Sequence, residues 1–284
     1  MPLPRITRRR FLATLGLGVA GAAGVVGYTF EVEPHWVRVA RRPLPVEGLP
    51  EGLVGRTLLQ ISDLHIGPIV DPRFLIRSLD RAARLDPDMV VVTGDITEAH
   101  WPEAIRSAGR VLPHLPKAPL GVYAILGNHD YGIGWSNEAL AEEVACVLRD
   151  SGATVLRNEA VKTGGLQIVG FDDLWSPRWA GSDVMARRDR LAPTIALCHN
   201  PDACDLDIWG DYRGWILAGH THGGQCKPPF LPPPQLPVKN RRYTRGEFDV
   251  GSGRRLYISP GLGYLRRMRF NVRRELTLFT LEAA

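Results

Sequence analysis

Short runs of apolar residues recur along this chain, and a polar residue or a glycine closes most of them. The run at residues 89–92 reads Met-Val-Val-Val and leads into Thr93-Gly94-Asp95. Such a run is too short for a helix, and its β-branched content favours a buried strand. The same pattern predicts strands at residues 57–62, 122–126, 153–156, 166–170, 194–198, 214–218, 256–259 and 275–281.

Between several of these runs, apolar residues recur every three or four positions, which predicts helices. In residues 73–85, side chains such as Phe74 and Leu79 fall on one face of a helix. Further predicted helices are residues 102–115 and 137–151, the second with Asn137 placed as its N-cap.

The order of the elements indicates the fold class. Helices and strands alternate in the first half, whereas the second half consists mostly of strands. This order predicts an α/β fold with two packed sheets flanked by helices in one domain, residues 57–284. Residues 34–56 are rich in Pro, Arg and Gly and are predicted to form a lead-in segment with one edge strand. The proline-dense residues 228–237 are predicted to form a surface loop.

Residues 1–33 have the pattern of an export signal. Arg8, Arg9 and Arg10 precede an uncharged run of Ala, Gly, Val and Leu at residues 13–28. Paired arginines before an apolar run are typical of the twin-arginine route, whose translocation machinery becomes an expected partner. The alternative, a helix buried in the domain, leaves the arginines unexplained. The run fits both a cleaved signal and a slightly short membrane anchor, so we predict a location at the outer face of the cytoplasmic membrane or in the periplasm.

The net charge of +5 does not indicate a nucleic-acid partner. The first 42 residues contain seven arginines and two glutamates, which account for the whole excess. The rest of the chain is formally neutral, so a general nucleic-acid-binding surface is not expected.

Metal-binding side chains follow five of the predicted strands. The carboxyl ends of strands in an α/β sheet meet in one crevice, so these side chains are expected to converge. Carboxylate and imidazole without thiolate suit Mn, Fe or Zn, and two ions would require a bridging carboxylate, for which Asp95 is the candidate. Each of these residues alone is also consistent with a turn residue or a buried core histidine. Those interpretations do not explain why all of them follow strands in this order. The set is Asp63 and His65, Asp95, Asn128 and His129, His199, and His220 and His222.

These motifs resemble the full set of the calcineurin-like metallophosphoesterases over residues 57–260. The motifs are Asp63-x-His65, Gly94-Asp95, Gly127-Asn128-His129-Asp130, His199 and Gly219-His220-x-His222. The resemblance implies a four-layer α/β/β/α sandwich and hydrolysis of phosphoesters at two divalent metal ions, with in-line attack by a bridging hydroxide. It implies that Asp63, His65, Asp95 and His222 hold one ion, and that Asp95, Asn128, His199 and His220 hold the other.

The resemblance also implies the catalytic residues. His129 corresponds to the histidine that contacts the phosphate and helps the leaving oxygen. Members of the family often carry an aspartate three residues after the bridging one, where this chain has Glu98. We therefore expect Glu98 to bond His129, and we expect Glu98→Gln to lower turnover with the metal content intact.

The substrate is less constrained by the sequence. Residues 241–274 contain ten arginines against one Glu and one Asp, which fits either a solvated surface or a site for anionic groups such as lipid headgroups. We predict that Arg266, Arg267 and Arg269 bind substrate. Six further side chains fit either an apolar rim beside the site or ordinary packing, and they are Trp175, Trp179, Phe230, Leu231, Tyr264 and Leu265.

Within the family, the chain most resembles the exported or membrane-associated phosphodiesterases. Some relatives in this branch hydrolyse the pyrophosphate of UDP-2,3-diacylglucosamine, a lipid precursor, which is the alternative function. A more remote alternative is a non-catalytic envelope-binding protein with a vestigial metal site.

Overall fold

The predicted strands pair into two six-stranded sheets in a computed structural model, which describes residues 7–284. Residues 1–6, which include Arg5 and the start of the predicted export signal, lie outside the described residues. We number the strands and helices in chain order.

The first sheet contains the strands of the first half together with the last strand of the chain. Strands β2 to β5 are parallel, β12 is antiparallel to β2, and β1 is parallel to β12. In spatial order the strands are β1 (Val37–Val46), β12 (Arg274–Ala283), β2 (Thr57–Ile61), β3 (Met89–Thr93), β4 (Val122–Ile125) and β5 (Thr154–Val155).

The second sheet is built from the second half of the chain. Its four inner strands are parallel, and both edge strands are antiparallel to their neighbours. In spatial order they are β10 (Gly246–Asp249), β11 (Arg254–Ile258), β9 (Gly214–Ala218), β8 (Thr194–Leu197), β7 (Leu166–Gly170) and β6 (Glu159–Thr163).

Helices cover the outer faces of both sheets. Asn137 caps α4 through the N–H groups of Ala139 and Leu140, as predicted. Asp71 caps α2 in the same way through the Arg73 N–H. The helices are α1 (Arg8–Gly27), α2 (Pro72–Ala83), α3 (Pro102–Val111), α4 (Glu138–Asp150) and α5 (Gly181–Arg187).

Alternation along the strands creates separate apolar cores on the two faces of each sheet. In β3, Val90 and Val92 pack against α2, α3 and α4, whereas Met89 and Val91 pack between the sheets. A third core lies on the outer face of the second sheet, under α5 and the neighbouring loops. The predicted fold of two mixed sheets flanked by helices is therefore confirmed.

The edge strand predicted within residues 34–56 is present, whereas two other edge strands were not predicted. The segment predicted as a lead-in contributes β1, a ten-residue strand that lies beside β12 at the edge of the sheet and thus tolerates Pro43 and Pro45. Strands β6 and β10 were not predicted, because they are largely exposed and carry no apolar run.

The N-terminal helix stands apart from the three cores. Helix α1 continues through short π and 3₁₀ turns to form a helical segment, Arg8–His35. The most apolar 18-residue window of this segment has a mean hydropathy of 1.7, and no residue of that window is buried. Within residues 7–284 it is the one helix long and apolar enough to cross a membrane.

Candidate metal centre

The parallel strands of both sheets end at a common crevice. Strands β2, β3 and β4 of the first sheet and β8 and β9 of the second are each followed by predicted metal ligands. All seven predicted ligands are buried: Asp63, His65, Asp95, Asn128, His199, His220 and His222.

Two groups made up only of predicted ligands lie close enough to hold a metal ion each. Asp63, His65, Asp95 and His222 form one group, in which one ligand atom of each lies within 4.8 Å of the others. In this group, Nε2 of His65 lies 2.9 Å from Nε2 of His222. Asp95, His199 and His220 form the second group.

Asp95 belongs to both groups through one oxygen atom. Its Oδ2 lies 3.1 Å from Nε2 of His199 and 3.5 Å from Nε2 of His65. A single carboxylate oxygen thus faces one imidazole of each group, which is the position of a bridging ligand.

Several ligand atoms in the crevice have no hydrogen-bond partner within the described part of the chain. They are Asp63 Oδ2, Asn128 Oδ1 and His199 Nε2, and all three are buried. Although His199 Nε2 lies close to Asp95 Oδ2, the two atoms lack hydrogen-bond geometry. Buried polar atoms are rarely left unpaired, and lone pairs directed into one space fit divalent cations.

Hydrogen bonds around the crevice set which ring nitrogen of each histidine is free. Nδ1–H of His199 donates to the Thr93 carbonyl oxygen at 2.7 Å, which leaves Nε2 as the ligand atom. Nε2–H of His220 donates to the Pro237 carbonyl oxygen at 2.8 Å, which leaves Nδ1. Such outer contacts fix the tautomer and orientation of metal-binding histidines.

The electrostatics of the crevice keep Asp95 ionised. Burial opposes its charge, but the imidazoles of His199 and His129 hold the pKa of Asp95 well below its ordinary value. Burial and the neighbouring His199 lower the pKa of His220 to about 3, so His220 is neutral and able to donate a lone pair.

His129 and Glu98 lie beside the two groups. Nδ1–H of His129 donates to Glu98 Oε2 at 3.2 Å, and its backbone N–H donates to Asp95 Oδ1 at 2.9 Å. Despite burial, Asp95 and Glu98 raise the pKa of His129 to about 9. The His129 side chain is 22% exposed, compared with 5% for His222, so a substrate can reach it.

Comparison with known proteins agrees with this geometry. The sequence model of the calcineurin-like phosphoesterases matches residues 56–224, more than half of the chain. This chain belongs to the calcineurin-like phosphoesterase family. It is therefore a metal-dependent phosphoester hydrolase.

Three relatives within the family bear on its function. The phosphodiesterase YaeI of Escherichia coli (strain K12) is 30% identical over 97% of this chain and 99% of its own length. A transmembrane protein with a metallophosphoesterase domain from Danio rerio is 31% identical over 95% of this chain and 62% of its own. The UDP-2,3-diacylglucosamine pyrophosphatase LpxG of Chlamydia muridarum (strain MoPn / Nigg) is 26% identical over 91% of this chain and 94% of its own.

The backbone of the metallophosphoesterase site is strained. Left-handed φ angles between 47° and 71° occur at five predicted ligands, which are Asp63, His65, Asp95, His220 and His222. Such angles are costly for residues other than glycine and cluster at functional sites. Gly127 allows the backbone after β4 to lie directly against the Asp95 side chain, because a Cβ at residue 127 would overlap Asp95 Oδ1.

Two supporting contacts were not predicted from the sequence. Asp130 lies in the quoted motif, and its carboxylate accepts hydrogen bonds from the backbone N–H groups of Ile96, Thr97 and Gly127. It thereby joins the loops that follow β3 and β4. Glu98 contacts His65 as well as His129, with Nδ1–H of His65 donating to Oε1 at 2.5 Å.

The candidate residues for an apolar rim lie in different places, some at the site or the surface and others in the apolar interior. The Trp175 ring meets the edge of His220 at a centroid distance of 4.7 Å, whereas Trp179 stacks on Phe171 in the outer core. Tyr264 is buried beneath Arg274, whose guanidinium lies 4.4 Å from its ring centre. The exposed members are Phe230, Leu231 and Leu265.

Among the predicted substrate arginines, Arg269 requires a correction. Its side chain is completely buried, and it donates to the carbonyl oxygens of Pro260 and Gly263, both at 2.8 Å. It thereby holds the loop beside His222 from within the protein and is not part of an exposed arginine surface. Arg267 is exposed and pairs with Glu31 at 2.9 Å, and Arg266 lines an open cavity.

Proposed function

We propose that this metallophosphoesterase is a phosphodiesterase that uses two divalent cations at a membrane. Water would attack phosphorus in line with the bond to the leaving oxygen. The position of Asp95 Oδ2, between the imidazoles of His65 and His199, carries this proposal. Mn, Fe and Zn are the metals that suit these oxygen and nitrogen donors.

When bound, the cations supply charge that lowers the pKa of a coordinated water and offsets the negative phosphate oxygens. The chain would contribute the carboxylate of Asp95 to both ions, together with the lone pairs of the unpaired atoms of Asp63, Asn128 and His199. Because Glu98 accepts from Nδ1 of His129, the Nε2–H of His129 is free to bond the leaving oxygen of a substrate.

Room for a second substituent on the phosphate supports a diester. A cavity of about 720 Å³ borders His222 and is lined by Leu236, Leu265 and Met268 together with Arg266. A phosphate monoester would leave this space unused. The relative from Escherichia coli is itself named a phosphodiesterase.

The N-terminal segment supports the membrane location. The helical segment Arg8–His35 is apolar enough to span a bilayer and its most apolar window is not buried, and the relative from Danio rerio is named a transmembrane protein. The Arg8–Arg10 cluster at its amino end supports export by the twin-arginine machinery, which carries folded proteins.

A second candidate substrate is the pyrophosphate of a UDP-linked diacylglucosamine. The same cavity, with its apolar lining, offers space for an acyl chain beside the metal centre. The relative from Chlamydia muridarum carries that activity in its name.

Hydrolysis of bis-p-nitrophenyl phosphate by protein loaded with Mn, Fe or Zn tests the proposal. We expect His129→Ala to lower turnover by roughly 10²–10⁴-fold with unchanged metal content. His114→Ala is the control, because His114 is a half-buried histidine that pairs with Asp80 on the helical layer. A metal-loaded protein without hydrolysis would favour the non-catalytic alternative. Faster hydrolysis of the UDP-linked lipid would favour the second candidate.

A further inference from the structure

Two loops frame the cavity beside His222. We call residues 227–237 the proline loop and residues 265–273 the arginine loop. Leu236 and Pro237 of the first loop face Leu265 and Met268 of the second across the cavity. The two loops are joined at their bases, because the Lys227 N–H donates to the Phe270 carbonyl oxygen at 2.9 Å.

The arginine loop also holds the end of the N-terminal helix. The buried Glu33 carboxylate accepts hydrogen bonds from the N–H groups of Asn271 at 2.7 Å and Val272 at 2.6 Å. The Arg269 N–H donates to the Thr29 carbonyl oxygen at 3.0 Å. The carboxyl end of the helical segment Arg8–His35 is thus fixed against the same loops that line the cavity.

The tip of the proline loop is apolar and lies near this helix end. Phe230 is fully exposed at 105% and Leu231 is 60% exposed. Phe230 follows Lys227 by three residues, and a chain spans at most about 3.6 Å per residue, so it lies within roughly 11 Å of Lys227. Lys227 contacts Phe270, whose ring meets that of Tyr28 at a centroid distance of 6.5 Å.

Basic side chains accompany the apolar tip. Arg266 and Arg267 are exposed on the arginine loop, and Arg266 lines the cavity. Apolar side chains on one loop and arginines on the other loop of the cavity match the acyl boundary and the phosphates of a lipid surface. The carboxyl end of a helix able to span that same bilayer contacts the arginine loop.

We propose that Phe230 and Leu231 insert into the surface of the bilayer that holds the helical segment Arg8–His35. Arg266 and Arg267 then lie at the headgroup phosphates, and the cavity beside His222 opens toward the membrane. This second contact rests on the membrane location proposed above. It gives the catalytic domain a fixed orientation on the bilayer, which a single helix alone does not provide.

Depth-dependent fluorescence quenching tests the contact in the full chain. Phe230→Cys is labelled with an environment-sensitive dye in a background of Cys146→Ser and Cys226→Ser, since Cys198 and Cys204 are buried. Leu191→Cys is the matched control, because Leu191 is 96% exposed and precedes β8, at the strand end opposite the metal centre. The protein is reconstituted in phosphatidylcholine and phosphatidylglycerol vesicles that carry a nitroxide on the acyl chain.

The proposal predicts loss of fluorescence for the label on the Phe230→Cys variant and none for the label on the Leu191→Cys variant. Equal signals for both labels would overturn it. Dimer cross-linking through the Phe230→Cys variant without quenching would also overturn it, because the tip would then bind a second copy. Vesicle flotation and bis-p-nitrophenyl phosphate hydrolysis, measured on the same samples, report separately on the membrane location and on the phosphodiesterase activity.

Discussion

The carboxylate of Glu98 lies 2.5 Å from Nδ1 of His65, a predicted metal ligand. It also accepts a hydrogen bond from His129 at 3.2 Å. One side chain therefore orients a predicted metal ligand and the predicted catalytic histidine together. This double contact changes the expectation that loss of the Glu98 charge leaves the metal content intact.

Glu98→Gln is now expected to lower metal affinity as well as turnover. Replacing a carboxylate that orients a metal-binding histidine typically weakens metal binding by about 10–100-fold. Isothermal titration with Mn or Zn measures the affinity, and hydrolysis of bis-p-nitrophenyl phosphate measures turnover. Glu103→Gln is the matched control, because Glu103 is exposed on α3. Unchanged metal affinity in Glu98→Gln would show that its contact with His65 has no such role.

Glu33→Gln is expected to loosen the arginine loop from the N-terminal helix. Glutamine keeps one acceptor oxygen, but its amide group would face a backbone N–H of Asn271 or Val272. An unpaired buried donor costs about 1–3 kcal/mol. Hydrogen exchange at these two amides should accelerate in Glu33→Gln.

Glu31→Gln provides the control for that measurement. Glu31 is exposed and pairs with Arg267 on the same loop, and a surface pair contributes roughly 0–1 kcal/mol. Equal exchange rates in the two variants would contradict the assigned role of Glu33.

Asp88 should make the unfolding free energy depend on pH. Although burial opposes its charge, hydrogen bonds from Thr57 and Arg56 hold its pKa below the ordinary 3.8. Its contribution is therefore fully present above the unfolded-state pKa and is lost as the pH falls through the folded-state pKa. Urea unfolding should show Asp88→Asn as less stable than the wild type at neutral pH, with a gap that closes in acid. The neighbouring exposed Asp86→Asn should show no such gap.

The sequence predicted the elements whose burial is visible as a pattern. Strand β3 alternates between two cores, and its apolar run is interrupted only where Thr93-Gly94-Asp95 leaves the sheet. Edge strands lack this signal. Strand β6 carries Glu159 and Lys162 on largely exposed positions, so no period distinguishes it from a loop.

Site residues could be predicted from the sequence where the residue type and its position at a strand end were sufficient evidence. Asp95 follows directly from its position after β3, whereas the contact between Glu98 and His65 joins residues 33 positions apart. The position of Arg269 could not be predicted from the sequence for the same reason. Charge suggested a surface role, but the loop folds so that its guanidinium pairs with buried carbonyl groups. Long-range packing of this kind leaves no local pattern.

The bridging role of Asp95 is the central claim, and metal stoichiometry tests it most directly. Wild-type protein dialysed with Mn or Zn is expected to retain two ions per chain. Asp95→Asn should lose both, because Oδ2 faces the imidazoles of His65 and His199. His65→Ala and His199→Ala should each weaken mainly one site. If Asp95→Asn retains two ions, or loses only one while His199→Ala loses both, Asp95 is not the bridge.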